Sequence, residues 1–304
     1  MLISVIIPTK NRPNDLLAAI KSIVDQNRIP DQIVVIDQSE GDESETLIME
    51  QIEFPSDIEL SYIRDTNIKG LVEAKAKSLE FAKGDLICFF EDDIVLENNY
   101  LIEIEKTFNQ NSQILGCSGV ITNATSGSWL YRFFYRLTHI GMFKDERPDI
   151  FFKLSEQSGV LLCTNAINGG LSAWRKEIFS KVSFDYFNKF HMMEDFEFSF
   201  RANKNFPDSL YINSDARLEH NFSPINRNNK IKSTQRKVFE YLVFFKKNRE
   251  NYADYFSLNL LLFGLFFQAI SQTILEFKLG YLSAFLVGIK EGISHKIIKN
   301  SINV

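Results

Sequence analysis

Short apolar runs alternate with longer segments of helical periodicity along the first third of the chain. The apolar runs are LISVIIP (2–8), DQIVVIDQS (31–39), IELSYIRD (58–65) and DLICFF (85–90). The segments between them are NDLLAAIKSIVDQ (14–26), SETLIMEQIE (44–53) and GLVEAKAKSLEFAKG (70–84). Continuous apolar strands are typical of parallel sheets that are covered on both faces. The alternation therefore predicts an α/β fold, with a mixed but mainly parallel sheet flanked by helices and joined by right-handed crossovers.

The composition permits a sizeable core and argues against several classes of protein. With 304 residues, 45% hydrophobic and 24% charged, the chain can hold one large domain or one domain plus an appendage. Its net charge of −5 argues against a general nucleic-acid binder, which is usually basic. Three widely spaced cysteines predict neither a disulfide framework nor a zinc site, which suits a reducing cytosol. The N-terminal apolar run lacks a basic region before it and ends at Pro8, so we interpret it as a strand.

Acidic residues follow two of the predicted strands at their carboxyl ends. Asp37 lies at the end of the second strand, and Glu91, Asp92 and Asp93 directly follow the fourth. Ligands of open α/β sheets bind beyond the carboxyl ends of the strands. Three adjacent carboxylates repel one another, so they occur either at a solvated strand end or around a divalent cation such as Mg²⁺ or Mn²⁺. The acidic residues alone leave both interpretations open.

Five stretches of the chain follow one another in an order and at a spacing that a known family shares. They are SVIIPTKNRPNDLLAAIKSI, IVVIDQSEGDES, NIKGLVEAKAKSLEFAKGDLICFFEDDIVL, NGGLSAWRKEIF and EDFEFSFR. In this order they resemble the family 2 glycosyltransferases, inverting enzymes that use nucleotide sugars on a GT-A fold. The resemblance implies a GT-A domain over residues 1–225, with a nucleotide-sugar half (1–110) and an acceptor half (111–225). A basic and amphipathic helical region (226–304) would follow it.

The resemblance implies that the nucleotide of the donor contacts residues near the ends of three predicted strands and on one helix. These residues are Pro8, Thr9, Asp37, Lys75 and Asp92. Asp37 would accept a hydrogen bond from a base edge or the ribose, because a carboxylate is an acceptor only. Its other interpretation is a residue that forms a turn. Lys75 stands where the family has arginine, and it keeps the positive charge without the planar fork.

The resemblance also implies a divalent metal, Mn²⁺ or Mg²⁺, at the acidic triplet. Asp93 would be the main ligand, and Glu91 would contact the metal, its water or the ribose. His220, which follows the predicted strand SLYINSDARLEH, stands where the family often carries a histidine near the metal or the diphosphate. A lone histidine is equally consistent with a satisfied core or surface residue, so this assignment stays open.

Asp195 is the general base that the resemblance implies. Inversion needs a carboxylate that removes the proton of the acceptor hydroxyl as its oxygen attacks. A helix that starts at this point would place Glu194 and Asp195 at its positive end, where they could also serve only to compensate the helix dipole. The alternation of Phe196, Phe198 and Phe200 permits a strand instead, and the resemblance favours the helix.

The resemblance places four residues on the acceptor side of the site, namely Gly169, Gly170, Trp174 and Glu194. Trp174 either stacks on a sugar face or belongs to the core. Residues 122–160 are the part least similar to the family, and they are aromatic and basic. They predict either an amphipathic segment near the acceptor site or a loop that contacts a membrane.

The C-terminal third differs in composition from the rest of the chain. Residues 227–249 contain eight Lys or Arg residues and one acid, and residues 255–275 contain no charge. A bilayer span needs about 20 apolar residues, but polar residues interrupt this stretch. Two amphipathic helices on a membrane surface therefore fit better, with the basic block drawn to anionic lipid. One spanning helix, and a soluble packing or dimer surface, are the alternatives.

These patterns and the resemblance together predict a metal-dependent inverting glycosyltransferase, peripheral on the cytoplasmic face of the cell membrane. Its partners would be a nucleoside-diphosphate sugar, a glycan or lipid-linked acceptor of surface polysaccharide synthesis, and a membrane surface, but not nucleic acid. A metal-dependent nucleotidyltransferase is one alternative, although PTKNRPND has no glycine for a phosphate loop. A catalytically silent binding protein on the same fold is another. The oligomeric state stays open.

Overall fold

The computed structural model of the chain describes residues 1–124, 128–154, 156–223 and 229–299. The strands are β1 (Ile3–Thr9), β2 (Gln32–Asp37), β3 (Glu59–Arg64), β4 (Leu86–Phe90), β5 (Ile94–Leu96), β6 (Gly116–Ile121), β7 (Leu161–Cys163), β8 (Leu171–Arg175) and β9 (Leu210–His220). Within the described residues they form one sheet in the order β3-β2-β1-β4-β8-β6-β9-β5, with β7 paired to β9. Strands β1 to β4 are parallel, whereas β8 runs antiparallel between β4 and β6. The sheet is mixed and mainly parallel, which confirms the predicted fold class.

Helices connect the strands and form the C-terminal region. The α-helices are α1 (Pro13–Val24), α2 (Glu43–Gln51), α3 (Leu71–Ser78), α4 (Tyr100–Gln110), α5 (Trp129–Thr138), α6 (Arg147–Leu154), α7 (Glu194–Asn205), α8 (Lys230–Asn248), α9 (Tyr252–Glu276) and α10 (Gly280–Ser294). The first three lie where the sequence predicts helices. Helix α7 confirms the helical interpretation of EDFEFSFR, and the alternating phenylalanines there all lie within one helix.

The continuous apolar composition of the first strands follows from burial on both faces of the sheet. In β1, Ile3 and Val5 pack on the side of α1, where Leu16 belongs to the same cluster. Ile6, on the opposite face, packs in a second cluster together with Val72 of α3. Successive side chains of a strand point to opposite faces, so a strand between two helical layers needs apolar residues at every position.

Helices α8, α9 and α10 share a third core with the segment that precedes α7. The buried residues of this core include Phe190, Met193 and Phe196, just before and within α7, and Phe244 and Leu261 from α8 and α9. Full burial of an apolar side chain of this size contributes about 2 kcal/mol. The C-terminal helices are therefore packed directly onto the part of the chain that carries Asp195.

Large apolar side chains remain exposed on α5 and α9. More than half of the surface is accessible for Trp129, Phe133 and Phe134 of α5 and for Phe256 and Phe263 of α9. Among the described helices, α9 is the one that is long and apolar enough to cross a membrane, judged by length and composition alone. The membrane interpretations of these segments stay predictions.

The carboxyl ends of the strands bring the predicted site residues to one edge of the sheet. Because β1, β2 and β4 are parallel, Thr9, Asp37 and the acids after Phe90 all lie at that edge. Strand β9 runs parallel to β6 and ends at His220. The short strand β5 pairs antiparallel with the end of β9, with Ile94 opposite His220, so Asp93 is placed beside the histidine.

Candidate active site

Glu91, Asp93 and His220 form a cluster that could hold a metal ion. Nε2 of His220 lies 3.0 Å from Oδ1 of Asp93 and 3.3 Å from Oε2 of Glu91. One possible ligand atom from each residue lies within 4.8 Å of the others. Two carboxylates and an imidazole are a ligand set that suits Mn²⁺ and is compatible with Mg²⁺. These are the three residues that the resemblance assigned to the metal.

The environment of this cluster keeps its side chains in place. The backbone N–H of Ser223 donates to Oδ2 of Asp93 over 3.0 Å, and the ring of Phe222 stacks on His220 at 3.9 Å between centroids. Burial lowers the pKa of His220, but the hydrogen bonds with Asp93 and Glu91 outweigh it and raise this pKa to about 9. A cationic imidazole can thus offset part of the repulsion between the two carboxylates.

Asp92 points away from the metal cluster and toward the loop after β1. Oγ1 of Thr9 donates to its Oδ2 over 2.7 Å, and Nη1 of Arg12 donates to its Oδ1 over 2.8 Å. Burial raises the pKa of Asp92, and the Arg12 charge opposes this effect. The same Nη1 of Arg12 lies 3.7 Å from Oδ2 of Asp93. Arg12 is a site residue that the sequence interpretation missed, although it lies in the quoted PTKNR motif.

Asp37 is fully buried, and its carboxylate is occupied by neighbouring side chains. The backbone and hydroxyl of Ser39 both donate to its Oδ1, and the hydroxyl of Tyr62 donates to its Oδ2 over 2.7 Å. This arrangement matches the turn-forming interpretation of the residue. The next residue, Gln38, lines a cavity beside the acidic triplet, whereas Asp37 does not. Oε1 of Gln38 accepts from the backbone N–H of Gly70 over 2.9 Å.

A cavity of about 830 Å³ opens beside the acidic triplet. The loop after β1 and the acids form one side of it, and the residues around His191 and helix α8 form another. The lining residues are Pro8, Thr9, Lys10, Arg12, Gln38, Gly70, Leu71, Glu91, Asp92, His191, Met192, His220, Phe222, Asn229, Lys232, Ser233 and Arg236. A pocket of this size and polarity is large enough for a nucleotide sugar.

Lys75 and Glu194 form a buried ion pair next to this cavity. Nζ of Lys75 lies 2.6 Å from Oε1 of Glu194 and donates to the backbone oxygen of Gly169 over 3.0 Å. Burial raises the pKa of Glu194, and Lys75 opposes that shift. Lys75 is thus directed at Glu194, which the resemblance assigned to the acceptor side. A role in binding the donor, which the resemblance implied, stays a prediction.

The consecutive glycines Gly169 and Gly170 lie between the metal cluster and Asp195. A β-carbon added at Gly169 would collide with the carboxylate of Glu194 and lie 3.0 Å from Cβ of Asp195. One added at Gly170 would lie 2.5 Å from Oε1 of Glu91. Consecutive α-carbons are about 3.8 Å apart, so the metal cluster and Asp195 flank the same two residues of backbone. They belong to one site at the edge of the sheet.

Asp195 is partly exposed and is held by an arginine that the sequence interpretation missed. Nη1 of Arg147 lies 2.5 Å from Oδ2 of Asp195, and the backbone N–H of Phe196 donates to Oδ1 over 2.7 Å. The other side of the same guanidinium binds Asp145 in a fork, with contacts of 2.9 and 2.8 Å. Burial raises the pKa of Asp145, but the Arg147 charge outweighs it and holds this pKa below its usual range. Tyr135 of α5 donates to Asp145 over 3.3 Å.

The position of Trp174 corrects the prediction that its ring could stack on a sugar at the acceptor side. Its side chain is buried, its Nε1 donates to Oγ of Ser172 over 2.9 Å, and its ring packs edge-on against Phe198 at 4.9 Å. The indole therefore has no face open to a sugar, and the core interpretation is the right one. Arg201 forms a structural ion pair through two 2.6 Å contacts with Glu197.

Several solved structures are similar to this chain over nearly its whole length. TarS 1-349 from S. aureus has a TM-score of 0.58 and 15% identity, over 96% of this chain and 80% of that one. Its complex with UDP-GlcNAc has a TM-score of 0.59 and 14% identity, over 96% and 81%. The mannosyltransferase PcManGT from Pyrobaculum calidifontis, in complex with GDP-Man and Mn²⁺, has a TM-score of 0.56 and 13% identity, over 96% and 87%.

At these identities the structural similarity establishes a GT-A-like fold and leaves the substrate open. No curated protein matches the sequence. Residues 4–182, more than half of the 304 residues, match the family described as Glycosyl transferase family 2. The chain therefore belongs to glycosyl transferase family 2.

Proposed function

We propose that the chain is an inverting glycosyltransferase that moves a sugar from a nucleoside-diphosphate sugar to a hydroxyl group. One observation carries the proposal: a metal-binding cluster and a partly exposed carboxylate flank the same pair of glycines. Inversion requires the leaving group and the general base on opposite sides of one reacting carbon. The UDP-GlcNAc and GDP-Man complexes of the structurally similar proteins support a nucleotide-sugar donor, and the Mn²⁺ of the mannosyltransferase supports a divalent ion.

The donor would lie in the cavity beside the acidic triplet. Glu91, Asp93 and His220 would hold the divalent ion. When bound, such an ion neutralises charge on a diphosphate leaving group. Thr9 and Arg12 keep Asp92 in a fixed position at the cavity wall, so it is available to the ribose or to a metal-bound water.

The acceptor would approach from the side of Asp195. Its carboxylate would take the proton of the acceptor hydroxyl as the oxygen attacks the anomeric carbon. Arg147 and the N–H of Phe196 hold one oxygen atom each, which fixes the direction of the carboxylate. Gly169 leaves room for the Lys75–Glu194 pair beside Asp195, because a β-carbon there would collide with Oε1 of Glu194 and lie 2.8 Å from Nζ of Lys75.

The biological setting belongs to the same proposal. We infer an acceptor in surface polysaccharide or lipid-linked glycan synthesis and a peripheral position on the cytoplasmic face of the membrane. The exposed apolar residues of α5 and the apolar helix α9 support a membrane surface as a partner. Tyr135 connects α5 to the Asp145–Arg147 pair, so a membrane-delivered acceptor would arrive close to Asp195.

Donor hydrolysis and transfer test the proposal directly. The protein is incubated with a panel of nucleoside-diphosphate sugars and Mn²⁺ or Mg²⁺, and released nucleoside diphosphate is measured. We expect release with one donor class, its loss with a chelator, and inversion at the anomeric carbon in the product by NMR. Release of pyrophosphate when a nucleoside triphosphate and a sugar 1-phosphate are supplied would instead identify a nucleotidyltransferase, and no binding of any donor would identify a silent protein.

Replacement of Arg147 by lysine tests the support of the general base. Lysine keeps the charge but cannot bind Asp145 in a fork and Asp195 at the same time. We expect kcat for the transfer to fall by about tenfold to a hundredfold, as for other small misplacements of a reacting group, with the donor KM unchanged. Arg136→Lys is the matched control, because Arg136 is exposed and pairs with Asp149 on the surface of the protein. A parallel rise in donor KM would contradict a role confined to Asp195.

A further inference from the structure

Helix α8 presents one stripe of charged residues to the candidate donor site. Lys232, Arg236 and Glu240 are four residues apart in sequence, so they lie above one another on the same face of the helix. Lys232 and Arg236 line the cavity beside the acidic triplet. Glu240 is fully buried one turn further along, and its Oε2 accepts from the backbone N–H groups of Met192 and Met193, both over 2.8 Å. The stripe therefore connects the cavity wall to the segment just before Asp195.

The two cations of the stripe differ from the other lysines of α8 whose contacts are defined. Lys230 pairs with Glu276 over 3.0 Å, Lys246 donates to backbone oxygens at the end of α10, and Lys247 pairs with Asp185 and Glu197. Within the described parts of the chain, neither Lys232 nor Arg236 forms an ion pair with a carboxylate. Among the described residues, two positive charges with no carboxylate in salt-bridge contact thus face a cavity that has Glu91 and Asp92 on another wall. The Arg236 charge also acts on Glu240 of the same stripe and opposes the effect of burial, which raises the pKa of Glu240.

This arrangement fits a ligand that carries several negative charges. The acids already have a cationic neighbour, since Arg12 contacts Asp92 and Asp93. A metal ion at the cluster would cancel more of the acidic charge, and the cations of α8 would remain unbalanced. Arginine and lysine both bind phosphate oxygens strongly, and arginine does so in a fork. A diphosphate between the cluster and α8 would contact the metal ion on one wall of the cavity and the cations of α8 on the other.

We propose that Lys232 and Arg236 bind the phosphate oxygens of the nucleoside diphosphate, so that α8 forms one wall of the donor site. The inference deepens the proposed function and rests on it. It also reassigns part of the basic block of residues 227–249, whose composition alone predicted attraction to anionic lipid. Because Glu240 holds Met192 and Met193, the same helix supports the donor phosphates and the start of α7.

Two lysines on the same helix provide a matched experiment. Lys232→Gln removes a charge that lines the cavity, and Lys230→Gln removes one that pairs with Glu276 outside it. Affinity for UDP, GDP, CDP, ADP and TDP is measured by calorimetry with Mn²⁺ on the full chain. For the nucleoside diphosphate that wild type binds, we expect Lys232→Gln and Arg236→Gln each to raise Kd by about tenfold or more. Lys230→Gln should change it less than twofold.

Two further measurements and one further variant separate phosphate recognition from other effects. The affinity for the corresponding nucleoside, which has no phosphate, should be unchanged in every variant that binds it. Binding to vesicles of phosphatidylglycerol and phosphatidylcholine should be equal for wild type, Lys232→Gln and Arg236→Gln. Arg236→Lys, which keeps the charge, should recover part of the affinity that Arg236→Gln loses.

The possible results distinguish this inference from the proposed function. If wild type binds a nucleoside diphosphate and both cavity variants bind it equally well, the role of α8 is wrong and the proposed function stands. If the variants lose vesicle binding and keep nucleotide affinity, Lys232 and Arg236 bind the phosphate of a lipid headgroup, and the inference is again wrong. If wild type binds none of the five nucleoside diphosphates, both the proposed function and the inference fail.

Discussion

Asp195→Asn is expected to lower the turnover of sugar transfer at least about a hundredfold, the usual scale for loss of a general base. The amide is nearly isosteric and can still accept from the N–H of Phe196, but it cannot accept the proton of the acceptor hydroxyl. Donor affinity should remain near that of wild type, because Asp195 lies on the acceptor side of the two glycines. Single-turnover kinetics of transfer and calorimetry of donor binding measure the two effects separately.

Asp25→Asn serves as the control for this variant. Asp25 is exposed at the C-terminal end of α1, which lies at the opposite edge of the sheet from the site. Its replacement should leave both turnover and donor affinity unchanged. Near-wild-type turnover of Asp195→Asn would remove this residue from the role of general base, and another carboxylate of the site would have to take it.

Asp93→Asn is expected to abolish the metal dependence of donor binding. The carboxylate is buried, and its two oxygens meet His220 and the N–H of Ser223, so the site holds it in one orientation. An amide carries no negative charge and is a weaker ligand for Mn²⁺ or Mg²⁺. Loss of residues that only support metal ligands costs 10- to 100-fold in affinity, so loss of Asp93 should weaken Mn²⁺ binding by at least about a hundredfold.

Calorimetric titration of Mn²⁺, without any substrate, tests this prediction apart from catalysis. Donor affinity is then compared with Mn²⁺ and with a chelator, and the two values should become equal in the variant. Thermal melting verifies that the fold persists, because Asp93 also connects β5 to the end of β9. Wild-type affinity for Mn²⁺ in Asp93→Asn would place the ion elsewhere.

The fold could be predicted from the sequence because each signal is local. A strand covered on both faces must be apolar at every position, so β1, β2 and β4 are visible as runs, and the helices between them have their own period. The position of the acids is likewise a local property, since they follow the strand ends directly. The family resemblance then assigned Glu91, Asp93 and His220, which the structure brings within 4.8 Å of one another.

Other parts of the site depend on contacts between distant segments, which no local pattern shows. Arg147 reaches Asp195 from a segment 48 residues earlier, and it lies within the part of the chain least similar to the family. Trp174 could face a sugar or the core, and only the packing of Phe198 against it decides. The role of Asp37 also depends on a contact between separate segments, because its hydrogen-bond partner Tyr62 comes from the neighbouring strand β3.

The basic block shows that periodicity carries information that composition alone does not. Counted together, the charges of residues 227–249 describe a surface that attracts lipid. Taken at a spacing of four, they separate into the stripe of Lys232, Arg236 and Glu240 and the remaining lysines and arginines. That spacing was present in the sequence, but the sequence did not show that this face of α8 lines the cavity.

The shared core of α8, α9 and α10 has a practical consequence for experiments on this protein. The family match ends at residue 182, yet His220 and the stripe of α8 lie beyond it. Shortened versions designed from the match would lack His220, Asp195 and the helix that braces Met192 and Met193. Fragments that end with the match would also lack β9, which pairs with β5, β6 and β7, so the sheet itself would be incomplete.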